Sequence, residues 1–148
     1  VEVQRGRARL VAETAGRLGV ADRMHTVVAD GRQPPLRPGG ADAVLVDAPC
    51  TNLGSLRRRP EARWRHGPDD IAGLVELQLA LLEAAAEAVR AGGTVLYSVC
   101  TWTQAETEEV VAQLLERRGD LRLEEARQLW PHRDGADGMF LARLRKVR

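Results

Sequence analysis

Two apolar, β-branched runs separated by a long helix-periodic segment limit this chain more than anything else in it. Residues 43–46 read Ala-Val-Leu-Val and residues 94–99 read Thr-Val-Leu-Tyr-Ser-Val, and each run is followed within four residues by a cysteine. Between them, Pro68-Asp69-Asp70 offers a capped helix start, and Ile71, Leu74, Gln78, Leu81, Ala85 and Val89 recur at steps of three and four. That spacing predicts a helix as far as Arg90 with one mostly apolar face. Gly92-Gly93 is expected to end this helix and turn the chain into the strand 94–99.

The flanking segments extend the alternation. Residues 1–3 are an apolar stub, and a helix is expected over 5–18 with its end marked by Gly19. Residues 25–29 read as a strand and 43–46 as a second, buried one, with a loop rich in proline and glycine between them. A further helix is expected over 103–117, with Glu106, Glu108 and Glu109 in its first half, where the helix dipole favours acids. Residues 121–124 and 139–144 alternate and are expected to pair as an antiparallel hairpin at a sheet edge. Strands alternating with helices imply a doubly wound α/β sheet, whose ligands gather at the carboxyl ends of the strands. Glu2, Asp30, Asp47, Cys50 and Cys100 all fall at such ends.

Composition narrows the classes. A chain of 148 residues, 44% apolar, has the size of one domain. It has no run of about 18 apolar residues and no signal peptide, so neither membrane insertion nor secretion is supported, and a cytoplasmic protein is expected. Two cysteines fifty positions apart, without a short-spaced Cys or His cluster, suit neither a disulfide framework nor a zinc site. The net charge of +1 hides a cluster: Arg57, Arg58, Arg59, Arg63 and Arg65 stand beside His66, opposed only by Glu61. Such a patch suits a phosphate backbone, and its plainer alternative is a solvated arginine-rich loop.

The thiols carry the candidate chemistry. In Asp47-Ala48-Pro49-Cys50 the proline fixes the backbone where the chain leaves the sheet, directing Asp47 and Cys50 into the crevice. Taken alone, Cys50 reads equally as a small hydrophobe. A carboxylate such as Asp47, if buried at a strand end, is costly unless it accepts hydrogen bonds. Cys100 falls at the top of its strand just ahead of a helix, where a helix N-terminus or a cation from the arginine loop would favour its thiolate.

Together these segments resemble the RNA cytosine-5 methyltransferases of the RsmB/Sun type, in the NOL/NOP/Sun superfamily. The resemblance rests on Asp47-Ala48-Pro49-Cys50 followed by Gly54, on Arg-Arg-Arg-Pro with Trp64, and on Leu77-Gln78 in a long helix. It continues through Gly-Gly-Thr-x-x-Tyr-Ser-x-Cys-Thr to Asp137-Gly138-Met139-Phe140 near the C-terminus. The resemblance implies a mostly parallel, Rossmann-like sheet of the class I S-adenosylmethionine-dependent methyltransferase type with an antiparallel C-terminal strand. It also implies that the first strand, its Gly-rich cofactor loop and an RNA-binding domain lie outside residues 1–148, leaving a partial catalytic domain that binds cofactor weakly by itself.

By the same resemblance Cys100 forms a covalent bond to cytosine, Cys50 assists release of the methylated product and Asp47 contacts the base. Glu2 would hold the ribose hydroxyls of S-adenosylmethionine and Asp30 would lie beside its adenine, with Asp47 bordering the same pocket. Asp30 has a second reading as an Asx turn with Gly31. The expected partner is RNA, rRNA rather than tRNA, bound by a monomer without metal through Arg57, Arg58, Arg59, Arg63 and Arg65. Two departures stand out: Thr51-Asn52-Leu53-Gly54 replaces the family's usual Ser-Gly-x-Gly or Ser-Ala-x-Gly, and Val99 stands where Thr is common. A non-catalytic RNA-binding or scaffold role is the alternative. A thiol hydrolase lacks a linked histidine, and an adenine amino-methyltransferase would carry an aromatic residue where Cys50 stands.

Overall fold

The computed structural model describes residues 1–148, which form two units, Val1–Leu36 and Arg37–Arg148. In the first unit, α1 (Arg5–Arg17) ends as predicted: the Leu18 N–H bonds the Thr14 carbonyl, and Gly19 follows in the left-handed region at φ 69°. The strand expected at 25–29 shrinks to one parallel bridge between Glu2 and Val28. Its two bonds run from Glu2 N to Val27 O (3.0 Å) and from Ala29 N to Glu2 O (3.2 Å). The partner segment is too short to extend the ladder, because α1 begins at Arg5.

The second unit holds a four-stranded mixed sheet in the order β1-β2-β4-β3. Strand β1 (Ala41–Asp47) runs parallel to β2 (Val89–Val99), joined by the crossover helix α2 (Asp70–Ala88). After α3 (Glu108–Arg117), β3 (Leu121–Leu129) and β4 (Met139–Lys146) form the expected antiparallel edge hairpin, with the short helix α4 (Pro131–Asp134) between them. Strand β4 also pairs antiparallel with β2, bringing Val99 opposite Phe140. Alternate residues Val95, Tyr97 and Val99 on β2, and Phe140, Ala142 and Leu144 on β4, are buried in one core with Leu82 and Leu114. Tyr97 and Phe140 meet edge to face at 6.2 Å. No helix is long and apolar enough to cross a membrane.

Four local expectations are corrected. Strand β1 is not buried: it is an edge strand bonded on one side only, and Leu45 is 62% exposed. Helix α2 keeps only part of the expected row inward: Gln78 and Ala85 are buried, joined by Leu79, Leu82 and Ala86, whereas Ile71, Leu74 and Leu81 are half-buried, because α2 packs against β1, β2 and α3 together. It also stops at Ala88, and β2 starts at once, so Gly92-Gly93 lies within the strand. Ala41 faces Val89 but Ala43 faces Thr94, so Arg90–Gly93 bulges from the ladder. Gly92 takes φ 72°, and a Cβ on Gly93 would stand 2.7 Å from the Asp42 carbonyl oxygen, so the bulge requires glycine at both positions. Finally, the helix expected from 103 is broken: a 3₁₀ turn, Gln104–Glu106, precedes α3, and Thr107 between them has φ −118°, ψ −101°.

Candidate active site

Parallel pairing sets the geometry. With Asp47 opposite Ser98, and Ala48 N bonded to Ser98 O at 3.1 Å, β1 and β2 end side by side and release their following residues at the same sheet edge. Pro49 has no N–H to continue the ladder, so the chain leaves the sheet there. Cys50 becomes buried and Cys100 half-buried, with their sulfur atoms 3.5 Å apart. Asn52, in the left-handed region at φ 60°, donates to the Cys50 carbonyl (2.7 Å), while its Oδ1 lies 3.1 Å from the Cys100 Sγ.

These contacts divide the two thiols. The hydrogen bond from Cys50 holds the Cys100 thiol down at about 7, against burial and the nearby Asp47 charge, with Arg59 helping. Cys50 moves the other way, because it is the donor to Cys100 and lies in the drier position. The pair therefore keeps one proton, on Cys50, and places the negative charge on the more exposed sulfur. In the neutral state Cys100 donates to Asn52 Oδ1, and on ionisation the Cys50 S–H takes over. The arginine loop supplies part of the expected cation, since Arg59 favours the thiolate, but the neighbouring thiol is the larger influence.

The loop carrying Cys50 is stitched to its neighbours through backbone. Gly54 N bonds the Cys100 carbonyl (2.9 Å), and Gly138 N bonds the Gly54 carbonyl (2.8 Å). A Cβ on Gly54 would lie 1.9 Å from the Gly138 oxygen, so only glycine permits this approach. The Asp137-Gly138-Met139-Phe140 motif thereby gains a physical account. Gly138 lies against Gly54 and the Trp102 ring, Phe140 enters the core, and Asp137 accepts the Arg58 Nε at 2.7 Å.

The predicted site residues fare differently. Asp47, Cys50 and Cys100 come together in the second unit. Asp47 is exposed, so the expected burial penalty does not arise, and its charge reaches Cys100. Arg58 is committed to Asp137, Arg57 lies 4.0 Å from the same carboxylate and Arg65 lies 3.5 Å from Glu61. Arg63 stacks over Trp64, 5.9 Å from the ring centroid, and Trp64 is 83% exposed. In the first unit, Glu2 Oε1 accepts the Gln4 N–H at 2.8 Å. Asp30 forms the Asx turn of its second reading: Oδ1 accepts the Arg32 N–H at 2.9 Å, and the guanidinium engages both oxygens. That pairing holds the Asp30 carboxyl down at about 2.

Sequence reasoning missed Glu106, treating it only as an acid favoured by the dipole in the first half of a helix. It is fully buried and accepts hydrogen bonds from Thr51, Thr101, Thr103 and Gln78. The available signal was Gln78, a polar residue within an otherwise apolar helix stripe.

The fold, with parallel strands delivering two thiols to the carboxyl edge of a Rossmann-like sheet, is that of the S-adenosylmethionine-dependent methyltransferases. The family model of the 16S rRNA methyltransferase RsmB/F matches residues 1–145, and the chain belongs to that family. A Mycobacterium tuberculosis protein provisionally named as a methyltransferase is 46% identical over 163 residues, covering 99% of this chain and 34% of that protein. The ribosomal RNA small subunit methyltransferase B of Thermus thermophilus is 40% identical over 157 residues, covering 99% of this chain and 38% of its own length. Among solved structures, NSun6 from Pyrococcus horikoshii superposes with a TM-score of 0.85 at 30% identity, over 99% of this chain and 40% of that one. The chain thus spans about a third of the length of the curated relatives it matches.

Proposed function

We propose that residues 1–148 carry the reaction centre of an enzyme that methylates carbon 5 of cytosine in RNA, with 16S rRNA as the substrate. The observation that carries this reading is the thiol pair, two sulfurs 3.5 Å apart with the charge favoured on the accessible one. Carbon 5 of cytosine is a poor nucleophile. Addition of the Cys100 thiolate to carbon 6 forms a carbon–sulfur bond and moves electron density to carbon 5. Once carbon 5 is methylated, its proton leaves, the carbon–sulfur bond breaks and the thiolate is regenerated. Cys50, holding the shared proton beside the leaving sulfur, assists release. Asp47, exposed at the end of β1, would accept from the N3/N4 edge and stabilise a protonated ring.

S-adenosylmethionine would supply the methyl group. The residues present suit it in part: only Oε1 of Glu2 is engaged within the protein, which leaves Oε2 to accept a ribose hydroxyl. Asp30 meets adenine only by exchanging its Arg32 contacts, so the cofactor role rests on Glu2. Bacterial relatives named as ribosomal RNA methyltransferases, and membership of the 16S rRNA methyltransferase family, favour rRNA over tRNA.

The test uses RNA containing 5-fluorocytosine, from which carbon 5 cannot lose a proton, together with S-adenosylmethionine. In a full-length protein containing residues 1–148, a denaturation-stable adduct is expected with the unmodified form and with Cys50→Ala, and none with Cys100→Ala. Absence of an adduct in every form would favour a non-catalytic RNA-binding role.

A further inference from the structure

Glu106 is the most heavily bonded side chain in the second unit, yet none of its partners is a cation. Its Oε1 accepts Thr51 N–H (2.9 Å) and Gln78 Nε2 (3.2 Å). Its Oε2 accepts the hydroxyls of Thr51 (2.7 Å), Thr103 (2.7 Å) and Thr101 (3.3 Å). Thr51 directly follows Cys50 and Thr101 directly follows Cys100, and the two hydroxyls also meet at 2.8 Å. One carboxylate therefore ties together the residues next to both thiols. The same device reaches Pro49, whose carbonyl accepts Gln78 Nε2 at 2.9 Å.

Gln78 supports this arrangement by what it leaves unmet. Its Oε1 is buried without a partner. Turning the amide over would satisfy nothing, because the oxygen would then face two acceptors, the Pro49 carbonyl and the Glu106 carboxylate. Such an orphan is tolerated where the donor side is needed more.

We propose that Glu106 is a positioning residue, which holds the Cys50 and Cys100 segments together so that their sulfur atoms stay in contact. Its importance for methyl transfer rests on the function proposed above, whereas its effect on the thiols does not. The charged and titratable groups facing Cys100 are Cys50, Asp47, Arg58 and Arg59. None is altered by substituting Glu106, and loss of the Glu106 charge would by itself favour the thiolate, so a rise in the Cys100 midpoint reports on the spacing of the pair.

Rates of Cys100 alkylation by iodoacetamide, followed by mass spectrometry across pH, supply the test. In Glu106→Gln one acceptor oxygen becomes an NH2 donor, so the two Thr51 donors, which go to different oxygens, are no longer both accepted, and the midpoint is expected to rise by at least one pH unit. Alkylation at pH 7 then slows about fivefold, as the thiolate fraction falls from about one half to about one tenth. Thr51→Val, which keeps the volume but removes the bridging hydroxyl, shifts the midpoint the same way and covers the case in which Glu106→Gln fails to fold. Tyr97→Phe is the control: it removes the 2.8 Å bond from the Tyr97 hydroxyl to the Glu106 backbone carbonyl, lowering stability without touching the carboxylate. The midpoint in Tyr97→Phe should stay at the unmodified value. An unshifted midpoint in the folded carboxylate variants, or an equal shift in Tyr97→Phe, would overturn the proposal. A shifted midpoint in a protein that forms no adduct with 5-fluorocytosine RNA would retain the positioning role and remove the methylation reading.

Discussion

Cys100 and Cys50 show how far a residue's chemistry depends on a neighbour fifty positions away. In isolation each is an ordinary thiol, and only the 3.5 Å contact makes one a donor and the other an anion. Because the Cys100 thiol is held down at about 7, its thiolate fraction rises as pH passes through that value, and its reactivity rises with it. Cys50→Ala removes the donor, so the alkylation midpoint of Cys100 should move up toward that of a free thiol. A midpoint unchanged in Cys50→Ala would show that Arg59 or the backbone, not the second sulfur, lowers it. The motif Asp-Ala-Pro-Cys was legible because proline at a strand exit has a local backbone meaning. Glu106 was not legible, since its five donors come from four residues spread between 51 and 103.

Among the elements, α2 and β2 carry the core. Leu82 is fully buried where α2 meets the sheet, and Leu82→Ala should destabilise the second unit by about 2–5 kcal/mol, measured by denaturant unfolding. Ile71→Ala, at a position that periodicity assigned to the core and the structure leaves half-buried, should cost markedly less. Helices and strands were largely recoverable from sequence, as α1, α2, β2 and the β3–β4 hairpin demonstrate, because their periodicities are local. The errors fall at junctions. The α2–β2 boundary and the bulge at Gly92-Gly93 are set by β-pairing with Ala41 and Ala43, not by local propensity.

Across the whole molecule, a net charge of +1 conceals a basic loop whose arginines are unequal. Arg58 is spent on Asp137, whereas Arg59 and Arg63 make no ion pair with a carboxylate. Replacing Arg59 and Arg63 with alanine should reduce the salt dependence of single-stranded RNA binding by about 0.7 per arginine in the log–log slope. Replacing Arg58 should instead lower stability through the loss of its contact with Asp137. Binding measured by fluorescence anisotropy across salt concentrations distinguishes the two.

The sequence alone determined the strand–helix alternation, the two thiol-bearing strand ends and, through its motifs, the family to which the chain belongs. These are local patterns, readable wherever they occur. Tertiary structure alone decided that the Cys50 thiol is what favours the charge on Cys100, which arginines are free and that Glu106 joins the two thiol segments. Each of those depends on distances between residues remote in the chain, which only the packed sheet and its helices bring within reach.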